Sequence, residues 1–339
     1  MSCGINGIYG LPVEVEVTIL PGLPSFEITG LGDSAVREAR NRVRAAIINS
    51  GYKFPQGRIV ASYAPAWIQK RGTGFDLPLA LAILEASGQI ARPSNEEPIL
   101  MMGELSLKGA LSGIPGILSR LIATREKEKI YQFLGPLDNI PEAELVSDIR
   151  YYGVEDLRSA VAVYSGIVDK RERPAPAKQR KHKKYPRFDD FVGQDTAKRA
   201  LTIAAAGHHT LLMLGSPGCG KTSLASCLPG LLPPLSEEES LIVTMIQSAL
   251  SKGACIDSLL TIRPFLAPHH SVTAAALIGG GLPLRPGLCT AAHLGVLFLD
   301  ELTEFSRQVL DLLREPLESK EIRIARAGEY AVWPANFLL

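Results

Sequence analysis

At 339 residues the chain is long enough for about two domains, each with a core of its own. Hydrophobic residues make up 46% and charged residues 21%, and the net charge is +1, an ordinary globular balance that forces no conclusion about partners and leaves local charge to carry that information. The five cysteines, Cys3, Cys219, Cys227, Cys255 and Cys289, are scattered and never form a C-x-x-C pair. That pattern argues for a reducing compartment and against a zinc site or disulfide framework. Residues 1–24 lack a signal-peptide pattern, and the longest apolar runs, such as Leu77 to Leu84, are too short to span a bilayer, so a cytoplasmic protein with no membrane partner is expected.

Val13 to Ile19 alternates strictly, Val-Glu-Val-Glu-Val-Thr-Ile, which predicts a half-buried strand, and Ser25 to Ile28 predicts a second. Asp33 and Ser34 offer caps for a helix running to Gly51 with Val36, Val43 and Ile47 on its apolar face. Arg37, Arg40 and Arg44 line the other side, as a solvated face or a stripe for a phosphate backbone. A strand at Arg58 to Tyr63, a helix at Leu77 to Ala86 after Asp76, a strand and turn at Glu104 to Gly109, and a helix at Ile114 to Ala123 follow. This mixed order predicts an α+β or α/β domain over residues 1–168.

From Lys170 to Arg187 nine Lys or Arg face one Glu, with three prolines and almost no apolar side chains. Such a stretch cannot offset its ordering entropy by burial, so residues 169–187 are predicted to be a linker. Its cations fit a DNA or RNA partner, bound in a salt-dependent way, and equally fit a solubilising tether.

Residues 188–339 carry the pattern of a nucleotide-binding α/β domain: a helix at Asp195 to Ala206, a strand at Thr210 to Leu214, and then Gly215-Ser216-Pro217-Gly218-Cys219-Gly220-Lys221-Thr222. This is the G-x-x-x-x-G-K-[ST] spacing of a phosphate-binding P-loop. Its glycines let the backbone N–H groups close on a polyphosphate, and the helix that follows, through Ser223, Leu224 and Leu228, adds the positive end of its dipole. The expected ligands are ATP and Mg²⁺, with Lys221 on the β and γ phosphates and the Thr222 hydroxyl on the metal. Ser236 and Glu239 form a capping box for a helix carrying Leu241, Ile242, Met245 and Ile246. Gly295-Val-Leu-Phe-Leu-Asp300-Glu301 predicts a buried parallel strand with two acids at its carboxyl end, Asp300 for Mg²⁺ and Glu301 to polarise the attacking water. Adjacent His269 and His270, in a segment taken as extended, are expected to point apart, and no Cys or acid lies at metal-ligand spacing. Lys320 to Val332 predicts a hairpin turning at Ala327-Gly328, with Arg323 and Arg326 near its tip.

Asp189-Asp-Phe-Val-Gly-Gln194, the P-loop, Arg263-Pro-Phe-Leu-Ala-Pro-His-His270, Gly279-Gly-Gly-Leu-Pro-Leu-Arg-Pro-Gly287 and Gly295-Val-Leu-Phe-Leu-Asp-Glu-Leu302 together resemble the magnesium-chelatase-like AAA+ ATPases of the YifB/ComM type. Gly22-Leu-Pro-Ser-Phe-Glu-Ile-Thr-Gly-Leu31, Arg42-Val-Arg-Ala-Ala-Ile-Ile-Asn-Ser-Gly51 and Gly74-Phe-Asp-Leu-Pro-Leu-Ala-Leu81 are similar to that family's Lon-protease-like domain. The resemblance implies a Lon-protease-like (ribosomal S5-type) α+β domain, then a P-loop AAA+ α/β domain. It also implies a hexameric ring, a homo-oligomer, acting as an ATP-driven DNA helicase in branch migration during DNA uptake. Under it the Lys320 to Val332 hairpin and a helix-2 insert at Gly279 to Thr290 would project toward the ring's pore, where Arg323 and Arg326 would meet DNA.

Departures from the family pattern bound these expectations. Gly74 stands where a nucleophilic Ser would be and Leu118 where its Lys would be, so peptidase activity is not expected. Leu266 occupies a position where relatives commonly have Arg. The sequence ends just inside the strand that would carry the sensor-1 residue, without an arginine finger, sensor 2 or the helical lid, so hydrolysis by these residues alone is expected to be weak. Two other readings stay open: a chelatase-type motor subunit that remodels a protein partner, and a nucleotide-binding module without turnover.

Overall fold

A computed structural model of the chain describes residues 1–30, 34–66, 70, 72–92, 97–146, 148–166, 185–251, 256, 258–281, 284–326 and 329–339. Most of the basic 169–187 segment, together with Ala327 and Gly328, lies outside the described residues. The chain divides into two compact units, Met1–Gln179 with Ser251–Ser258, and Arg180–Leu250 with Leu259–Leu339.

In the first unit the alternating segment lies within a strand, Tyr9–Leu20. Val13 is buried, Val15, Val17 and Ile19 are half-buried, and Glu14, Glu16 and Thr18 face out, as the two-residue period of a strand requires. Ser2–Asn6 and Arg58–Ala64 flank this strand antiparallel, and Ser25–Thr29 adds parallel to Arg58–Ala64. Helices Ser34–Asn49 and Asp76–Ala86 bring Val43, Ile47, Leu77, Leu81 and Leu84 into the main core, which also takes in Leu134, Tyr152 and Leu157.

Leu134 and Tyr152 belong to a part the sequence did not announce, a parallel sheet of Leu100–Met101, Gln132–Pro136 and Arg150–Val154 with Gln132–Pro136 in the middle, and Leu157 starts the helix that follows it. All five residues of its central strand are buried, so no polar–apolar alternation marks it. The helix expected from Ile114 begins instead at Ile117 and runs to Glu128. Asn139 holds Ile114 outside it, accepting from the Ile114 N–H at 2.9 Å and donating to its carbonyl at 2.8 Å, and Gly116 then turns the chain with φ 74°.

Asp76, expected to lie just ahead of a helix, is the first residue of Asp76–Ala86 and is fully buried. Its carboxylate accepts from Arg42 Nε at 2.9 Å, Arg42 Nη2 at 3.1 Å and the Leu105 N–H at 3.2 Å. Burial pushes the Asp76 carboxyl above its usual range, and the Arg42 guanidinium holds back part of that rise. On the arginine stripe, Arg40 donates to the Phe26 carbonyl at 3.3 Å and Arg44 stacks over the Phe54 ring at 5.3 Å. The Arg37 side chain is outside the described residues.

In the second unit Val296–Leu297 pairs parallel with Phe265–Leu266 and bridges in parallel to Leu338. The regular strand is shorter than the expected Gly295 to Leu299, although the Phe298 N–H still donates to the Leu266 carbonyl at 2.8 Å. Thr210 to Leu214 does not form a regular strand: Leu211 donates to the Leu339 carbonyl at 3.0 Å, while Leu212 and Leu214 stand exposed. Leu211, Leu201, Leu224, Leu228, Val296 and Leu338 share one apolar cluster beneath the P-loop.

Both bonds of the Ser236–Glu239 capping box are present, at 3.0 and 3.1 Å, and start helix Glu237–Leu250. Met245 and Ile246 are buried as expected, but Ile242 is exposed and Val243 and Thr244 turn inward. The rotation has a polar cause: the Thr244 hydroxyl donates to the Ser240 carbonyl at 2.6 Å and accepts from the Leu260 N–H at 2.9 Å, while the Ser240 hydroxyl donates to the Leu260 carbonyl at 2.6 Å. The hairpin consists of antiparallel strands Glu321–Arg326 and Glu329–Pro334.

Candidate nucleotide site

The P-loop and the two acids meet at one cleft of the second unit, about 860 Å³ in volume. Gly215, Pro217, Gly218, Gly220, Lys221, Thr222, Ser223, Asp300 and Glu301 line it, and His270, Thr303 and Glu304 complete the wall. The Lys221 amine donates to the Ser216 carbonyl at 3.0 Å and lies 3.8 Å from Cys219 Sγ. A third contact, from the same amine to the Gly215 carbonyl at 2.9 Å, keeps Lys221 folded over the loop.

Local backbone chemistry explains the cradle. Gly218 and Gly220 have φ of 77° and 87°, values that L side chains rarely adopt, and a Cβ built on either would meet nothing within 4 Å. Both glycines therefore border open space into which successive N–H groups can present themselves. Gly220 caps the short helix Lys221–Ala225, whose Leu224 and Ala225 are buried and anchor the loop to the core.

The Thr222 hydroxyl donates to Asp300 Oδ2 at 2.7 Å, joining residues 78 positions apart. Asp300 Oδ1 accepts from the Glu301 N–H at 3.0 Å, and Glu301 takes the left-handed conformation, φ 52°. Two hard oxygen donors held at hydrogen-bond distance suit Mg²⁺ better than a softer metal, and no group of three or more His, Cys, Asp or Glu side chains that could hold a metal occurs among the described residues.

His269 and His270 do not point apart. The chain turns at them, with the Val272 N–H donating to the His269 carbonyl at 3.0 Å, and their rings lie 4.0 Å apart. His270 Nδ1 comes within 3.7 Å of Glu301 Oε2. Adjacency in sequence was the sole signal for this pair, and it carries no information about the turn. Arg323 reaches Glu321 at 3.1 Å and is exposed, and the Arg326 side chain lies outside the described residues. In the first unit a Cβ at position 74 would meet Ile114 Cδ1 at 2.9 Å and Arg120 Nη1 at 3.1 Å, while Leu118 is fully buried. Cys3, Cys219, Cys227 and Cys289 are free thiols, and among the described residues no helix is long and apolar enough to cross a membrane.

A mixed α/β unit with parallel strands behind such a loop has the architecture of a magnesium-chelatase-like AAA+ domain. The family description "Magnesium chelatase, subunit ChlI" matches residues 187–339, and "Subunit ChlI of Mg-chelatase" matches residues 15–139. YifB of Escherichia coli (strain K12) is 42% identical over 333 residues, covering 98% of this chain and 65% of its own length. Competence protein ComM of Haemophilus influenzae is 41% identical over 341 residues, again 98% of this chain and 65% of its own length. A protein of Mycobacterium tuberculosis (strain H37Rv) is 42% identical over 347 residues, all of this chain and 67% of its own length. The chain belongs to the YifB/ComM-type magnesium-chelatase-like family, and it spans about two thirds of the length of these relatives.

Proposed function

We propose that this protein binds ATP with Mg²⁺ at the Gly215–Thr222 loop and acts as an AAA+ motor on DNA, working as a homo-oligomeric ring. The observation that carries the reading is the 2.7 Å bond between Thr222 and Asp300, which sets two metal-competent oxygens at the mouth of the loop with Lys221 and Glu301 on the same cleft. Each residue then has a role. The backbone N–H groups from Gly218 to Thr222 hold phosphate oxygens, and the Lys221 amine exchanges its carbonyl contacts for the β and γ phosphates. Thr222 and Asp300 would hold the metal, which would supply neutralisation of phosphate charge when bound. Glu301 orients the attacking water and accepts its proton. Positioning and electrostatics carry the reaction, as is usual for phosphoryl transfer.

DNA as the track is supported by the basic 169–187 segment and by the relative named for competence. The second reading, a motor subunit that remodels a protein partner, is favoured by the family descriptions, which name magnesium chelatase. ATP turnover with and without forked DNA, for the wild type and Glu301→Gln, separates them. Turnover stimulated by DNA and lost in Glu301→Gln is expected. Failure to bind DNA at low salt would sink the DNA reading and leave the nucleotide site standing.

A further inference from the structure

The tip of Glu301 meets a side chain from outside the P-loop and the acid pair. Its root is fixed, since the Glu301 N–H donates to Asp300 Oδ1 at 3.0 Å and the backbone sits at φ 52°. The tip approaches His270 Nδ1 at 3.7 Å. This distance is beyond a direct hydrogen bond and within reach of an ion pair, or of a hydrogen bond after a shift of less than about 1 Å.

His270 is itself held. The Ser271 N–H donates to His269 Nδ1 at 3.3 Å, and the Ser271 hydroxyl lies 2.9 Å from the same atom. A backbone N–H can only donate, so His269 Nδ1 is an acceptor and the His269 proton resides on Nε2. The fixed His269 ring lies 4.0 Å from the His270 ring at 39°, a shelf that limits where His270 can turn. The other ionisable groups on the cleft wall are Lys221, Asp300 and Glu304.

The contact contributes little to folding. The His270 side chain is 36% exposed and that of Glu301 70%, and pairs this open are worth at most a small fraction of a fold's stability. Its consequence is instead directional. We propose that His270 is a positioning residue that holds the Glu301 carboxylate over the cleft, with His269 and Ser271 fixing His270 in turn. The proposal rests on the hydrolytic reading of Glu301 given above.

The test compares affinity for Mg·ADP with affinity for Mg·ADP plus aluminium fluoride, a mimic of the transferring phosphoryl group that recruits the attacking water. Wild type, His270→Ala, His270→Asn and Glu301→Gln are measured by calorimetry. His270→Ala is expected to bind Mg·ADP like the wild type and to lose roughly fivefold of the extra affinity that aluminium fluoride confers, the size of one exposed charged contact. His270→Asn, whose amide nitrogen falls near the place of Nδ1, is expected to restore most of that loss. Single-turnover hydrolysis should fall by the same factor with KM unchanged. Equal aluminium fluoride affinity in the wild type and His270→Ala overturns the proposal, and so does an equal loss for both ligands, which would mean general damage to the cleft. If Glu301→Gln also keeps the full extra affinity, or if aluminium fluoride adds none to the wild type, the hydrolytic reading of Glu301 falls as well. A loss in Glu301→Gln alone removes only the role of His270.

Discussion

His293 offers a test of how the second unit is held together at its sheet. The residue is 9% exposed, and its Nδ1 accepts the Asn336 N–H at 3.0 Å while the neighbouring Leu294 N–H donates to the Asn336 carbonyl at 2.6 Å. Burial pushes the imidazole from its ordinary 6.5 down to about 4, with the Glu239 carboxylate opposing weakly. Below pH 6.5 the unfolded chain takes up a proton that the folded chain refuses until the pH reaches about 4. The stabilisation is therefore complete above 6.5 and is lost as pH falls toward 4. The whole interval corresponds to roughly 3 kcal/mol, and about 2 kcal/mol of it should be gone by about pH 5. Urea unfolding followed by fluorescence of the buried Trp333, in a Trp67→Phe background, measures this directly. Between about pH 7.5 and pH 5 the parent should lose roughly 2 kcal/mol more than His293→Asn, which offers an acceptor oxygen and does not titrate. Identical pH slopes for the two proteins would refute the reasoning.

Asp76→Ala strips the Arg42 guanidinium and the Leu105 N–H of a buried partner, and should destabilise the first unit by about 3–5 kcal/mol in urea unfolding, with part of the loss recovered when Arg42→Ala is added. Lys221→Ala should weaken ATP binding at least about tenfold by equilibrium titration, the scale of a hydrogen bond to a charged group. Its unfolding midpoint should hardly move, because the amine's hydrogen bonds are to carbonyls of its own loop and to Cys219. Ser236→Ala removes the acceptor for the Glu239 N–H and should cost about 1 kcal/mol, read as a lower urea midpoint of the second unit.

What sequence revealed and what it hid divides along the range of the interactions. The P-loop and the capping box are local patterns, in which the residues that act together are neighbours, and each was legible as a spacing. Asp300 was legible as the end of an apolar run, and its contact with Thr222 across 78 positions follows from placing two motifs of one site type on the same domain. The Arg42–Asp76 pair carried no such label, because the two residues stand 34 positions apart and neither belongs to a spacing that points to the other. His270 was read with the wrong direction because the turn that folds it toward Glu301 depends on bonds made by Ser271 and Val272. The three-stranded parallel sheet was missed since a strand buried on both faces, such as Gln132–Pro136, has no period to read. The inward face of Glu237–Leu250 turned on hydroxyls at Ser240 and Thr244, which hydrophobic periodicity does not count.

The left-handed backbone at Glu301 has a consequence for anyone who evolves or redesigns this protein. A non-glycine residue at φ 52° carries about 1 kcal/mol or more of conformational cost that glycine would not. Libraries screened for heat resistance or soluble yield alone would thus reward Glu301→Gly, and the winners would be sturdier molecules without the carboxylate on the wall of the cleft. A selection that couples survival to nucleotide turnover would keep Glu301 and reject the same gain.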